Sequence, residues 1–277
     1  MIIDRLIEKI NHMGNPTVVG LDPQAEFIPK GMSVLDFNCG IIDAVCDIVP
    51  AIKPQIAFYE RLGQVGLDTY IKTIQYAKAK GLIVIADIKR GDIASTAQAY
   101  ANAHIGGGDF DADFATVNPY MGGDSVQPWI DNCHKLDKGI FVLVKTSNAG
   151  SGDFQDLMVG DKPLYQIVGE RTAVWGADMV GKYGYSSVAA VVGATYPEQL
   201  ADLRAQLPNT FFLVPGYGAQ GGTAKDIRHA FDANGGGAII NSSRGIIASH
   251  QNPKYAGLGF AEAARAAAID MRDDLQG

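Results

Sequence analysis

Short runs of β-branched and other apolar residues alternate along the chain with stretches in which apolar residues recur at helical spacing. The apolar runs are mostly continuous, which is typical of parallel strands that helices cover on the outside. We expect strands at residues 17–21, 51–57, 82–87, 113–118, 140–145, 187–193, 210–214 and 238–241. We expect helices at residues 66–80, 93–104, 166–183, 223–234 and 260–275.

Eight strand–helix units in 277 residues predict an α/β fold, a (β/α)8 barrel of parallel strands that forms one domain over residues 1–277. Length alone would allow two domains of about 150 residues, but barrels of about 250 residues form a single one. A doubly wound open sheet is the alternative, although the sequence lacks the early GxGxxG fingerprint with which such a sheet binds a dinucleotide. The N-terminal MIIDRLIEKI has the spacing of an amphipathic helix, and its charges argue against a signal peptide.

The charge and the cysteine content narrow the class of protein. The formal net charge is −7 and Lys and Arg form no runs, which argues against nucleic acid or an anionic membrane as the main partner. No apolar run reaches the length of about 18 residues that predicts a membrane span. Cys39 and Cys46 share an expected helix without CxxC spacing, so we expect buried thiols that form neither disulfide bridges nor zinc sites, and a cytoplasmic protein. No histidine pair has metal-ligand spacing, and no GxSxG, HExxH or Walker sequence indicates serine or zinc chemistry.

Charged residues interrupt the apolar strands at the ends where barrel enzymes have their active sites. In the third strand, period-two alternation places Asp87 and Lys89 on one face and apolar residues on the other. The same alternation directs Asp22 of the first strand and Lys53 of the second strand toward the barrel mouth. These four side chains are therefore expected to meet. Ion pairs that merely stabilise the barrel end are the alternative, but such clusters are costly to desolvate and are more typical of functional sites.

Three further segments carry polar residues at strand ends. Asp92 opens the helix after the third strand, and it either belongs to the charge cluster or caps that helix. Asn118 and Asp124 follow the fourth strand, where they either support the site or cap the next helix. Ser147 follows the fifth strand and can form a hydrogen bond to a ligand. The Gly- and Asp-rich segment 148–163 is long for such a connection, and we expect it to be a mobile lid.

Glycine-rich loops follow the seventh and eighth strands. The first loop reads PGYGAQGG at 215–222 and contains Pro215 and Gln220, and the second contains Arg244 and Gly245. Loops at these two places in α/β barrels often hold a phosphate group through backbone amides, and an arginine adds charge-assisted hydrogen bonds. Flexible linkers with a surface arginine are the alternative. The loop positions favour a phosphate site.

The run Asp87-Ile88-Lys89-Arg90-Gly91-Asp92 resembles the D-x-K-x-x-D motif of the orotidine 5′-phosphate decarboxylases. Lys53, Asp22, PGYGAQGG and Arg244 match the same family, and TVNPYMGGDSVQPW at 116–129 is similar to its longer, bacterial-type branch. The resemblance implies a carboxy-lyase of pyrimidine biosynthesis that converts orotidine 5′-monophosphate to UMP and carbon dioxide without metal or organic cofactor. It also implies a cytoplasmic homodimer.

The resemblance implies a role for each matching residue. Lys89 would stabilise negative charge at C6 of the pyrimidine and then deliver a proton there, and Asp87 would lie against the departing carboxylate. Lys53 would order the charges and, with Asp22, contact the ribose. The other implied contacts are Ser147 with the base, Pro215, Gln220, Arg244 and Gly245 with the phosphate, and Asp92 and Thr96 with the partner subunit's site.

Two other functions stay open. A metal-dependent 3-keto-hexulose-phosphate lyase of the same superfamily would share the D-x-K-x-x-D motif, but it would carry an acidic residue on the second strand, where this chain has Lys53. A barrel that only binds a nucleotide would have no need of the complete Lys and Asp set.

Overall fold

The eight expected barrel strands are present and form one closed parallel barrel in the computed structural model, which describes residues 1–217 and 224–277. The prediction of a (β/α)8 barrel is confirmed, and the doubly wound alternative is wrong because the last barrel strand pairs with the first. A small antiparallel hairpin, which the sequence analysis did not predict, follows the fifth barrel strand. The strands are β1 Thr17–Leu21, β2 Ala51–Pro54, β3 Ile83–Arg90, β4 Phe114–Val117, β5 Gly139–Lys145, the hairpin β6 Met158–Val159 and β7 Lys162–Pro163, β8 Ser186–Val192, β9 Thr210–Pro215 and β10 Ala238–Ser242.

Helices connect the barrel strands and cover their outer faces. They are α1 Ile2–Met13, α2 Val34–Val45, α3 Ala57–Glu60, α4 Gly63–Ala79, α5 Ala94–Ile105, α6 Gly123–Leu136, α7 Gly152–Gln155, α8 Leu164–Trp175, α9 Pro197–Gln206, α10 Ala224–Ile227, α11 Arg244–Ile247 and α12 Phe260–Gln276.

Two expected helices are shorter than their apolar spacing suggested. The helix expected at 166–183 ends at Trp175, with Gly176 as its C-cap, and the chain then turns to form a bridge between Val180 and Ser186. Within 224–234, the helix expected at 223–234 is reduced to α10 and one 3₁₀ turn at Arg228–Ala230. Apolar spacing continues through tight turns that pack against the same core, so it overstates helix length.

The N-terminal helix closes the end of the barrel at which the strands begin, and its prediction is confirmed. Ile2, Ile3 and Leu6 are fully buried and pack in one cluster with inward-facing strand residues. The backbone N–H of Ile2 donates to Asp137 Oδ1 at 2.7 Å, close to the start of β5. The described residues therefore seal this end of the barrel with apolar side chains, which leaves the opposite end for a ligand.

The inward-facing residues change from apolar to polar along the first barrel strands. Val18, Ala51, Ile85 and Phe114 belong to the apolar cluster inside the barrel. Two residues further along the same strands, the inward positions are Gly20, Lys53, Asp87 and Thr116. Because side chains of a strand alternate between its two faces, the same strands supply both the core and the polar floor above it.

The described part of the chain contains no helix that is long and apolar enough to span a bilayer. Cys39, Cys46 and Cys133 are free thiols. The spacing of Cys39 and Cys46 predicted this, but the expectation that both are buried is wrong, because each is only partly buried.

Candidate active site

A cavity of about 520 Å³ opens at the end of the barrel where the strands terminate, the end at which barrel enzymes bind substrates. Seven of the residues singled out in the sequence line this cavity: Asp22, Lys53, Asp87, Lys89, Ser147, Pro215 and Arg244. Asp92, Thr96 and Gly245 do not line it, and Gln220 lies outside the described residues.

Asp87 lies between two lysines at the floor of the cavity. Lys53 Nζ donates to Asp87 Oδ2 at 2.7 Å, and Lys89 Nζ donates to Asp87 Oδ1 at 2.6 Å. The side chains of Lys53 and Asp87 are 6% and 10% exposed, whereas that of Lys89 is 45% exposed. Lys53 and Asp87 thus form a buried ion pair, and the Lys89 ammonium stays accessible to a ligand.

Burial and the neighbouring charges shift the pKa values of Asp87 and Lys53 in opposite directions. Burial alone raises the pKa of a carboxyl group, but the ammonium groups of Lys53 and Lys89 outweigh it and hold the pKa of Asp87 well below its usual range. Burial also opposes the charge of Lys53, yet the carboxylates of Asp87 and Asp22 outweigh it and raise the pKa of Lys53. Asp87 and Lys53 are therefore both charged at neutral pH.

Asp22 and Asn241, on neighbouring strand ends, each carry a buried oxygen atom that has no hydrogen-bond partner among the described residues. The atoms are Asp22 Oδ1 and Asn241 Oδ1, and both residues line the cavity. Gly20 allows the two strand ends to come close, because a Cβ atom there would lie 1.8 Å from Ser243 Oγ. Unpaired buried acceptors are costly, so these oxygens are suited to accept hydrogen bonds from hydroxyl groups of a ligand.

The opposite side of the cavity is apolar. Leu143, Val191 and Leu213 line it from β5, β8 and β9, which lie across the barrel from β2 and β3. The cavity therefore has an apolar wall on one side and fixed charges on the other.

The end of β5 is held by the segment that follows it. Gln155 Oε1 accepts from the backbone N–H of Thr146 at 2.9 Å, and Gln155 Nε2 donates to Thr146 Oγ1 at 2.8 Å. The fully buried Lys145 donates to Asp156 Oδ1 at 2.7 Å. These bonds place Thr146 and Ser147 at the edge of the cavity and tie residues 155–156 to the barrel.

The loops after β9 and β10 contribute the last part of the lining. Pro215, Gly216 and Tyr217 line it on one side, and Ser243 and Arg244 line it on the other. The Tyr217 hydroxyl donates to Asp274 Oδ2 in α12 at 2.5 Å, which anchors the start of the β9 loop to the C-terminal helix. Arg244 begins α11 with its side chain exposed to the cavity, where it can pair with an anion.

Asp92 and Thr96 lie outside the cavity of their own chain. Asp92 Oδ1 accepts from the backbone N–H of Ile93, and Ile93 is the N-cap of α5. Asp92 is therefore not the N-cap residue of α5, although its side chain accepts a hydrogen bond from the amide of the residue that is. Thr96 is exposed in the first turn of α5.

The local sequence left the roles of Asn118 and Asp124 open and indicated no role for Thr116, Gln55 or Asn241. Asn118 Oδ1 accepts from the backbone N–H of Tyr120, and the N-cap of α6 is Gly122, so neither Asn118 nor Asp124 caps that helix with its side chain. Neither residue lines the cavity, whereas the three unassigned residues do. The available signal was the same for all three, a polar residue at an inward position of a barrel strand or directly after one.

Comparison with known proteins gives one consistent result. The sequence model of the "Orotidine 5′-phosphate decarboxylase / HUMPS family" matches residues 16–259. Over 286 residues, the chain is 46% identical to the orotidine 5′-phosphate decarboxylase of Clostridium perfringens strain SM101, covering 100% of this chain and 98% of the relative. The relative from Rhodopirellula baltica is 45% identical, with 95% of each chain covered.

Solved structures agree with these sequence matches. The structure of Leishmania donovani OMP decarboxylase superimposes with a TM-score of 0.80 at 35% identity, covering 99% of this chain and 97% of the other. A putative orotidine 5′-phosphate decarboxylase from Streptomyces avermitilis gives a TM-score of 0.82 at 31% identity, covering 99% of this chain and 95% of that one.

Proposed function

The chain belongs to the orotidine 5′-phosphate decarboxylase / HUMPS family, and we infer that it is a carboxy-lyase that converts orotidine 5′-monophosphate to UMP and carbon dioxide in pyrimidine biosynthesis. The observation that carries this function is the Lys53–Asp87–Lys89 array at the floor of the cavity, in a chain that is similar to the decarboxylases over its whole length. Neither a metal nor an organic cofactor takes part in the reaction proposed here.

The chemistry requires a fixed positive charge beside the carbon that loses carbon dioxide. Departure of carbon dioxide leaves an electron pair in an sp² orbital at C6, which the ring hardly delocalises, so the barrier in water is very high. An ammonium group that already lies in place stabilises this charge better than water, because it does not have to reorganise. Lys89 supplies that charge and then donates a proton to C6. The exposed position of its ammonium supports this role.

Asp87 and Lys53 keep the Lys89 ammonium in place. The Asp87 carboxylate binds both ammonium groups, and a neighbouring carboxylate favours the charged form of a lysine. Asp87 also lies where the substrate carboxylate departs, so its negative charge favours the loss of a neutral carbon dioxide molecule. Lys53 balances the charge of Asp87 from the buried side and contacts the ribose.

The ribose and the pyrimidine ring of the substrate match other groups that line the cavity. The unpaired oxygens of Asp22 and Asn241 accept hydrogen bonds from ribose hydroxyls. The pyrimidine ring packs against the wall formed by Leu143, Val191 and Leu213, with Ser147 at its polar edge.

The phosphate group binds between the loops after β9 and β10. Arg244 provides the charge, and Pro215, Gln220 and Gly245 contribute through their loops. Binding energy from this remote group can be used to close the site around the base, which raises the rate as well as the affinity. Closure in this proposal involves the lid expected at 148–163, whose exposed apolar tip includes Leu157, Met158 and Val159. Gln155 and Asp156, in the middle of this segment, bond to Thr146 and Lys145 at the end of β5.

The active enzyme is a cytoplasmic homodimer in which Asp92 and Thr96 complete the site of the partner subunit. The position of Asp92 outside its own cavity supports this arrangement. Exposed apolar side chains near Asp92 support it as well: Ile93 is 52% exposed, Tyr120 is 83% exposed and Met121 is 44% exposed. Exposed apolar residues that lie together often mark protein–protein interaction sites.

Turnover in the presence of a chelator tests the proposed function. Purified protein in excess EDTA should consume orotidine 5′-monophosphate rapidly, measured as the loss of substrate absorbance. A folded protein without turnover would contradict the proposal and favour the metal-dependent 3-keto-hexulose-phosphate lyase, for which addition of a divalent cation and the sugar phosphate is the matching assay. Nucleotide binding without either reaction would favour the non-catalytic barrel.

A further inference from the structure

We propose that Thr116 is a positioning residue whose hydroxyl group holds both Asp87 and the backbone of Lys89 in the arrangement that the reaction requires. The inference deepens the proposed function and rests on it. Asp87 and Lys89 lie in a turn of β3, and Thr116 faces this turn from β4.

The β3 strand bulges at this place. Ala86 pairs with Ala115 and Arg90 pairs with Val117, so the three residues 87–89 lie opposite Thr116 alone. Bulges of this kind redirect side chains and are frequent next to active sites. The backbone of residues 87–89 therefore follows a different path from that of a regular strand.

Lys89 has a backbone conformation that its residue type rarely adopts. Its φ angle is +46°, in the left-handed region that favours glycine. Such a conformation persists only where the surroundings impose it. The backbone N–H groups of Ile88 and Lys89 both donate to Thr116 Oγ1, each at 2.9 Å. Two hydrogen bonds to one oxygen therefore hold the turn in which Lys89 lies.

The same hydroxyl group orients Asp87. Thr116 Oγ1 donates to Asp87 Oδ1 at 3.1 Å, the oxygen that also accepts from Lys89 Nζ. Since Asp87 Oδ2 accepts from Lys53, the carboxylate has a partner on each oxygen and cannot turn freely. Thr116 thus holds Lys89 in two ways. It accepts from the backbone N–H of Lys89, and it orients Asp87, which binds the Lys89 ammonium.

Thr116 acts through these residues and not on the substrate. A threonine hydroxyl has one proton to donate and two lone pairs with which to accept, and here all three are used within the protein. Thr116 is also 1% exposed, although it borders the cavity floor. Its hydroxyl therefore has no hydrogen bond left for a ligand.

Replacement of the hydroxyl by a methyl group of similar size tests the inference. We expect Thr116→Val to lower kcat for orotidine 5′-monophosphate about a hundredfold, the scale of loss that follows displacement of a catalytic group by about 1 Å. KM and the Kd of UMP should change less than about threefold, because the lost hydrogen bonds are not made to the ligand. Thr116→Ser keeps the hydroxyl and should restore kcat to within about fivefold of the wild type. Thr172→Val is the matched control, since it removes a buried threonine hydroxyl from α8. Among the described residues, this hydroxyl bonds to the Val168 carbonyl alone.

Each outcome distinguishes this inference from the proposed function. If wild-type protein shows no turnover, the proposed function fails. If wild type and Thr116→Val turn over equally, or if Thr116→Ser is as slow as Thr116→Val while both bind UMP normally, Thr116 has no positioning role. A purely structural role of Thr116 predicts another pattern. Thr116→Val would then lose UMP binding and kcat in parallel, and its melting temperature would fall as much as that of Thr172→Val. This result would also overturn the inference.

Discussion

Lys53 Nζ and Asp87 Oδ2 lie 2.7 Å apart on adjacent barrel strands, and both side chains are almost completely removed from solvent. The desolvation of such a pair costs free energy that an apolar pair would not. At pH 7 both groups are fully charged. Asp87 stabilises the fold above the unfolded carboxyl pKa of about 3.9, and this contribution is lost as the pH falls through its lower folded value. Lys53 stabilises the fold below the unfolded lysine pKa of about 10.4. This stabilisation is lost as the pH rises through the raised pKa of Lys53 in the folded state.

Asp87→Asn should therefore destabilise the protein as well as inactivate it. The substitution leaves the buried Lys53 ammonium without its main counter-charge, and removal of one partner from a buried pair typically costs about 3 kcal/mol. The unfolding free energy from urea titrations at pH 7 gives the measurement, with Asp109→Asn in an exposed loop as the control. Equal stability of Asp87→Asn and wild type would show that the pair contributes no net stabilisation.

Lys89→Ala should abolish decarboxylation and largely preserve UMP binding. The substitution removes the charge that stabilises the C6 carbanion and the proton donor in one step, so kcat should fall by more than about a thousandfold. Isothermal titration with UMP checks the binding, because the product lacks the carboxylate next to which Lys89 acts. Retained turnover would contradict the role proposed for Lys89.

Mixed dimers test whether Asp92 acts across the interface. Subunits with Lys89→Ala and subunits with Asp92→Ala should each be inactive alone, and mixing them should restore part of the activity. In a mixed dimer, one of the two sites combines an intact Lys89 with an intact Asp92 from the other subunit. Native mass spectrometry verifies that mixed dimers form. Formation of these dimers without any recovery would mean that Asp92 works within its own chain.

Arg244→Ala should matter only for substrates that carry a phosphate group. We expect kcat/KM for orotidine 5′-monophosphate to fall about a hundredfold, since a charge-assisted contact to the phosphate is lost. Turnover of the nucleoside orotidine, which has no phosphate, should be unchanged. Arg5→Ala, on the N-terminal helix at the closed end of the barrel, serves as the control. An equal loss with both substrates would argue against a phosphate contact by Arg244.

His104 should make the fold sensitive to mild acid. Burial, with a smaller effect of Arg90, lowers its pKa to about 4, whereas the unfolded chain takes up this proton near pH 6.5. Between these values the unfolded state binds more protons, so stability falls as the pH decreases from about 6.5 to 4. Leucine cannot titrate. Between pH 7 and pH 4.5, the free energy of unfolding from urea titrations should therefore fall by about 1–3 kcal/mol less in His104→Leu than in the wild type. Identical losses in the two proteins would rule out His104 as a source of acid sensitivity.

The inward direction of the charged residues could be predicted from local pattern. Side chains of a strand alternate between two faces, so Lys53 and Asp87 had to point away from the helices once the strands were identified. Continuous apolar runs indicated parallel strands, and their number indicated a barrel. The amphipathic start of the chain likewise predicted α1. Each of these inferences depends on residues that are close together in the sequence.

The tertiary structure alone decided which of these residues touch and what holds them. The bulge in β3, the left-handed backbone of Lys89 and the three hydrogen bonds of Thr116 arise from pairing between strands about 28 residues apart, and no local pattern encodes them. The unpaired oxygen of Asn241 and the contact of Gln155 with Thr146 also depend on how separate loops meet. Periodicity reports the face on which a side chain lies, whereas a hydrogen bond depends on distance and angle between chain segments, which only the closed barrel determines.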